Sequence, residues 1–130
     1  MLVERWEMSE WQDKTDPEIN KAVTRLENDL DGWELSSCGK FFYMWSGGGR
    51  VKTQIPVNDY CNNPSDSWPI IFDNRISVEY DRSEGLWISH SGDYLMGHFV
   101  SESRYRYQIR DKNPLRAAMI VYLEMNGVKP

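Results

Sequence analysis

The stretch Lys40-Phe41-Phe42-Tyr43-Met44-Trp45-Ser46-Gly47-Gly48-Gly49-Arg50-Val51-Lys52-Thr53-Gln54-Ile55 decides the class of fold. Its first half places Phe41, Tyr43 and Trp45 at every second position. Its second half alternates Val51, Thr53 and Ile55 with Lys52 and Gln54, and a period of two belongs to strands. The three glycines between them force a turn, so a β-hairpin over 40–55 is the simplest reading. Residues 33–38, ahead of Gly39, read as a further strand.

Downstream the same grammar continues. Short β-like runs at 70–72, 76–80, 86–89, 94–100 and 103–110 are separated by Asp73-Asn74, Ser83-Glu84-Gly85 and Ser91-Gly92-Asp93. Ile76, Val78 and Tyr80 are expected inward. Residues 58–69, rich in Asn, Asp, Ser and Pro, read as the longest loop. Helices bracket the strands. Thr15-Asp16-Pro17-Glu18 is a helix start followed by Ile19, Ala22, Val23, Leu26 and Leu30 on one face, ending at Asp31-Gly32. At the other end, Asp111 or Asn113 caps, Pro114 opens, and Leu115, Ala118, Met119, Tyr122 and Met125 form a stripe that Gly127 closes. With Ala117, Ile120, Val121 and Leu123 added, this helix is apolar almost all round and should cover the sheet. The expected class is α+β: an antiparallel β-meander or curved sheet flanked by an N-terminal and a C-terminal helix. One domain is expected over 1–130. Its first 14 residues read as an extension, carrying Trp6 and Trp11, that packs loosely or pairs as a strand.

Composition narrows the function classes. The 130 residues carry 15 Lys+Arg against 20 Asp+Glu. Nine acids and four bases fall within residues 1–31, which leaves the other 99 residues balanced at 11 against 11. Duplex DNA is a poor partner for such a chain, because non-specific affinity comes from many phosphates neutralised by Lys and Arg. No stretch approaches the roughly 20 apolar residues of a bilayer span, so no membrane partner is expected. The start lacks the apolar run of a signal peptide, which reads as soluble and intracellular. Cys38 and Cys61 are too few and too far apart for a disulfide framework, so both read as free thiols. Of the six tryptophans, Trp33, Trp45 and Trp87 read as core.

Three segments carry a family resemblance. Glu18-Ile19-Asn20-Lys21-Ala22-Val23, the run from Asp59-Tyr60-Cys61-Asn62-Asn63 into Trp68-Pro69-Ile70-Ile71, and Asp111-Lys112-Asn113-Pro114-Leu115-Arg116-Ala117-Ala118-Met119 resemble, in that order, the NinX family of phage accessory proteins. The likeness covers residues 15–127. It implies a phage gene expressed in the host cytoplasm and carries over no activity.

The residues themselves suggest where a ligand would bind. The 58–69 segment joins Asp59, Tyr60, Asn62, Asp66 and Trp68: carboxylate and amide groups to read hydrogen-bond edges, and rings to stack on. Its structural alternative is a packed loop anchored by Trp68. Arg104, Arg106 and Arg110 alternate along one strand without interleaved acids, a strip suited to phosphate. Gly48 and Gly49, with Arg50 and Lys52 just beyond, are a weaker candidate anion loop, since the following helix of a P-loop is missing. His90 and His98 have no ligand-spaced partners, so no metal and no cofactor is expected. His90 beside Ser89 and Ser91, with Asp93 near, reads as turn structure more readily than as a nucleophilic site. The reading is a non-catalytic protein, with homo-oligomerisation left open, that captures a nucleotide-like small molecule or covers a host protein, with antiviral defence as the process it antagonises. A small enzyme or helper of phage DNA metabolism is the alternative.

Overall fold

An Asn-Pro pair starts a helix efficiently, because the asparagine oxygen accepts first-turn amides and the proline has none to satisfy. The computed structural model describes residues 9–100 and 103–130. In it, Asn113 Oδ1 accepts from the amides of Leu115 and Arg116, at 2.9 and 3.2 Å. The chain orders as α1 (Asp16–Glu27), β1 (Glu34–Leu35), β2 (Phe41–Ser46), β3 (Val51–Pro56), α2 (Pro64–Asp73), β4 (Ser77–Asp81), β5 (Leu86–Leu95), β6 (Arg104–Asp111) and α3 (Pro114–Met125). This is an α+β fold with helices flanking the strands. The strands form two antiparallel sheets, β1-β2-β3 and β4-β5-β6.

The centre of the molecule is α3. Every residue from Ala117 to Leu123 is buried, so the all-round apolar character of the sequence is used on all sides. One side lies on β5 and β6, and others meet α1 and α2. The sheet turns Val78, Ser89 and Ile109, neighbours in register, toward the core. Ser89 is fully buried opposite a helix whose Ala117 and Ala118 are equally buried, and such small side chains allow close helix-to-sheet approach.

Several expectations change. The 58–69 segment is not a loop throughout and 70–72 is not a strand: both run into α2. Asn63 Oδ1 accepts from the Ser65 amide at 3.1 Å and its hydroxyl at 2.7 Å, and Pro64 opens the helix. Pro69 lies inside it, on the exposed side, while Ile70 and Ile71 are buried. The expected 86–89 and 94–100 strands are one strand, β5, and residues 96–100 are outside it. Ser91-Gly92-Asp93 is therefore a bulge rather than a turn, with the register slipping between Ser91 and Tyr94. Gly92 has φ +83°, and a Cβ there would meet the Arg106 Cβ at 3.2 Å. A side chain there would be strained by the left-handed backbone and would crowd Arg106 and Tyr107 on β6, so glycine suits this bulge. Within 33–38 just Glu34–Leu35 pairs, because Ser36 turns back through its carbonyl to the Gly39 amide. Tyr80, expected inward, is exposed at the strand end against Trp87.

The leading segment is partly a structural element. Residues 1–8, with Trp6, lie outside the described residues, but Glu10–Asp13 forms a 3₁₀ turn capped by Ser9. Trp11 is buried in the core, and its indole N–H donates to the Val128 carbonyl at 2.9 Å. Ser9 Oγ donates to Glu124 at 2.7 Å. Residues 9–14 therefore neither pack loosely nor pair as a strand. Trp11→Ala should destabilise the protein by about 3–5 kcal/mol in urea unfolding, whereas Trp11→Phe, losing chiefly the hydrogen bond, should cost about 1–2 kcal/mol.

Candidate functional site

The 58–69 candidates meet the two terminal helices. Asn20, on the second turn of α1, donates to Asp59 Oδ1 at 2.9 Å and accepts from the Cys61 amide at 3.0 Å. Asn62 Nδ2 donates to Asp59 and to Asp16, each at 3.1 Å. Asn113 Nδ2 donates to the Cys61 carbonyl at 2.7 Å and to Asn62 Oδ1 at 3.1 Å. Arg116 completes the knot, donating to Asp16 at 2.6 Å, to Asp111 at 3.1 Å, and to the carbonyls of Gln12 and Lys14. Burial alone would lower the Arg116 pKa, but its two carboxylate partners hold it above the ordinary value. These groups are matched to one another. Asp66 accepts from Asn63 at 3.0 Å as part of the α2 start, and Tyr60 is buried, its phenol pushed up in pKa chiefly by that burial. Trp68 is 57 % exposed and anchors nothing.

Two of the three arginines stand apart from this knot. Arg104 and Arg106 lie at the start of β6, beside Leu95 and the bulge, while the knot adjoins Asp111 and Asn113 beyond its other end. Arg104 is seven positions and Arg106 five from Asp111, about 23 and 17 Å along a strand, whereas Arg110 adjoins Asp111 in the chain. Acids on β4 and β5 compensate two of the three: Asp81 pairs with Arg110 at 2.8 Å and Asp93 with Arg106 at 3.7 Å. The Ser83 hydroxyl, with Arg110 assisting against burial, holds the Asp81 carboxyl below its usual range. Arg104 donates to the Tyr105 and Gln108 carbonyls. The loop and the strip do not form one pocket.

His90 lies in β5, not in a turn, stacked on Tyr105 with centroids 3.7 Å apart and 3.3 Å from Glu79. Alternation along the strand sends Ser89 and Ser91 to the opposite face. Among the described residues no three His, Cys, Asp or Glu side chains are grouped as a metal ion requires.

The unexpected surface is the hairpin. Phe42 is buried beneath the Arg25 guanidinium, 4.6 Å from its ring, so Phe41, Tyr43 and Trp45 face outward. Trp45 is 53 % exposed, which corrects its assignment to the core; Trp33 and Trp87 are only partly buried. Lys52, opposite Trp45 in register, lies over the row, its ammonium 4.9 Å from the Tyr43 centroid, 5.4 Å from Phe41 and 5.6 Å from Trp45. Gly47, Gly48 and Gly49 all have positive φ. The amides of Gly49 and Arg50 return to the Ser46 carbonyl, so two of the amides in the candidate anion loop are engaged within the turn. On the inner side of this sheet a cleft of about 420 Å³ runs between α1, Leu35, Phe42 and Val128. The outward row was legible as period-two aromatics; which side faced the body was not.

A family model described as bacteriophage P22 NinX matches residues 10–126. The chain belongs to that family. The match begins at the 3₁₀ turn that carries Trp11. No curated protein and no solved structure matches the chain. The three segments that resemble NinX meet in the Asn20–Asn62–Asn113–Arg116 knot, so the family pattern marks how the NinX helices are held together. No described helix of this NinX chain is long and apolar enough to cross a membrane.

Two consequences can be measured. Arg116→Ala leaves two carboxylates without their cation and should cost about 3 kcal/mol in urea unfolding. Arg116→Lys, a point charge without the planar fork, should recover less than half of it. The thiols should differ sharply in reactivity. Cys38 is exposed, with its pKa lowered mainly by the Ser36 hydroxyl. Cys61 is buried and pushed up to about 12, chiefly by burial. At pH 8 the native protein should take up one iodoacetamide, at Cys38, and a second only on unfolding.

Proposed function

We propose that this NinX protein acts in the infected cell by binding, without catalysis, and that the outward face of the β1–β3 sheet is the surface it binds with. The observation that carries this reading is the aromatic row. Strands ordinarily bury their aromatic side, yet here Phe42 alone of the four rings is buried, while Trp45 is exposed and Phe41 and Tyr43 are half-buried on the other side. Exposed aromatic surface of this kind marks an interaction site. The polar knot supports the same reading from the other direction, since its carboxylates, amides and guanidinium are engaged in holding α1, α2 and α3 together. The target is a host component whose capture or occlusion benefits the phage, and antiviral defence is the process proposed.

Complementation tests it. A phage lacking this gene, grown in host cells supplying the wild-type protein or the double variant Phe41→Ala/Trp45→Ala, should regain its growth only with the wild type. Both proteins should show the same circular dichroism and melting within a few degrees. Full complementation by the double variant would place the function elsewhere on the molecule.

A further inference from the structure

We propose that the outward face of the hairpin is a stacking platform for single-stranded nucleic acid, and this rests on the binding reading above. Residues 33–57 carry Lys40, Arg50 and Lys52 against Glu34 alone, whereas the remaining 105 residues carry 12 bases and 19 acids. This segment is thus net positive within an acidic chain, which favours a negatively charged ligand; on its outward face Lys52 is the cation over the rings and Glu34, accepting from the Tyr43 hydroxyl at 2.9 Å, is the acid at the edge. The rings specify that ligand further. Phe41 and Tyr43 have centroids 6.3 Å apart and planes tilted by 58°, so bases on both rings must be separated and turned relative to the roughly 3.4 Å parallel repeat of a duplex strand. Successive rings can therefore receive successive bases of an extended, unstacked strand, while adjacent bases of a duplex fall out of step.

Base faces stack on aromatic rings irrespective of sequence, and a neighbouring cation tracks the backbone. Lys52 is placed for both states. In the free protein its ammonium lies over all three rings. When bases take that position, the flexible lysine stem lets the ammonium move to a flanking phosphate. Gln54, opposite Tyr43 in register, offers an amide to base edges. The acidic body opposes duplex DNA, whose charge density is greater, and this favours single strands again.

The test is fluorescence anisotropy with the full chain and labelled dT12, U12 and a 12-base-pair duplex, at 50 and 200 mM NaCl. The wild type should bind at least one of the single strands, at least tenfold more tightly than the duplex. A preference between dT12 and U12 tells which nucleic acid is the natural source. Trp45→Ala and Tyr43→Ala should each weaken binding roughly fivefold to a hundredfold. Lys52→Gln should also weaken it and make the log–log salt slope shallower by about 0.7. Trp68→Ala, an exposed tryptophan on α2, should bind as the wild type does, and every variant should melt like it. No binding of either 12-mer at 100 μM protein, equal binding by Trp45→Ala, or equal binding of the duplex would each overturn the proposal. If neither 12-mer binds and Phe41→Ala/Trp45→Ala still fails to complement, the oligonucleotide is wrong and the binding face stands. If that double variant complements fully, both fall.

Discussion

Arg116 presents five N–H donors in one rigid plane, and the fold matches them to four acceptors from separate parts of the chain: Asp16, Asp111, and the carbonyls of Gln12 and Lys14. A lysine in its place would offer charge without that geometry. Because the guanidinium is fixed on the first turn of α3, it dictates where α1 and the 3₁₀ turn must lie. Asn113 does the same for the 59–63 segment through the Cys61 carbonyl and Asn62. Three helix starts are thereby brought to one place, and the apolar face of each is presented to α3 before any hydrophobic contact is counted. The apolar burial supplies most of the stability; the polar knot selects the arrangement in which that burial happens.

What the sequence made legible follows from which signals are local. The start of α1, the hairpin and α3 carry cap, turn and periodicity signals within a few residues, and each is found where those signals put it. The helix α2 was missed although Asn63-Pro64 is the same start as Asn113-Pro114. Pro69 and the polar residues around it outweighed that start, and only the structure shows that the proline lies on the solvent side while Ile70 and Ile71 meet α3. The bulge at Gly92 looked like a turn because Ser-Gly-Asp has the same composition in both. Whether one glycine reverses a strand or merely kinks it depends on the partner strand, and β6 is not local information.

The candidate residues divide along the same line. Asp59, Asn62 and Asp66 have the chemistry of ligand recognition, but hydrogen-bond capacity alone does not distinguish a group waiting for a ligand from one already matched within the chain. Arg106 and Arg110 looked uncompensated because Asp93 and Asp81 approach them only across the sheet. The row Phe41, Tyr43 and Trp45 reads correctly as one face, and only Trp45 of the three was read as core. Period two fixes the alternation and leaves its sign open, and here the sign is set by Phe42 finding Arg25 on α1.

The union of Trp11 with Val128 has a bearing on how the protein comes into being. The two residues are 117 positions apart, and Arg116 reaches back 100 positions to Asp16. On the ribosome, α1 and the 3₁₀ turn emerge early, at roughly 5–20 residues per second, with every partner that would hold them still unsynthesised. The α1 helix is therefore an amphipathic segment whose partners on α3 and around Val128 come about 100 residues later in the chain. The contacts that close the fold are thus long-range ones, and contacts of that kind form slowly because the intervening chain must be ordered first.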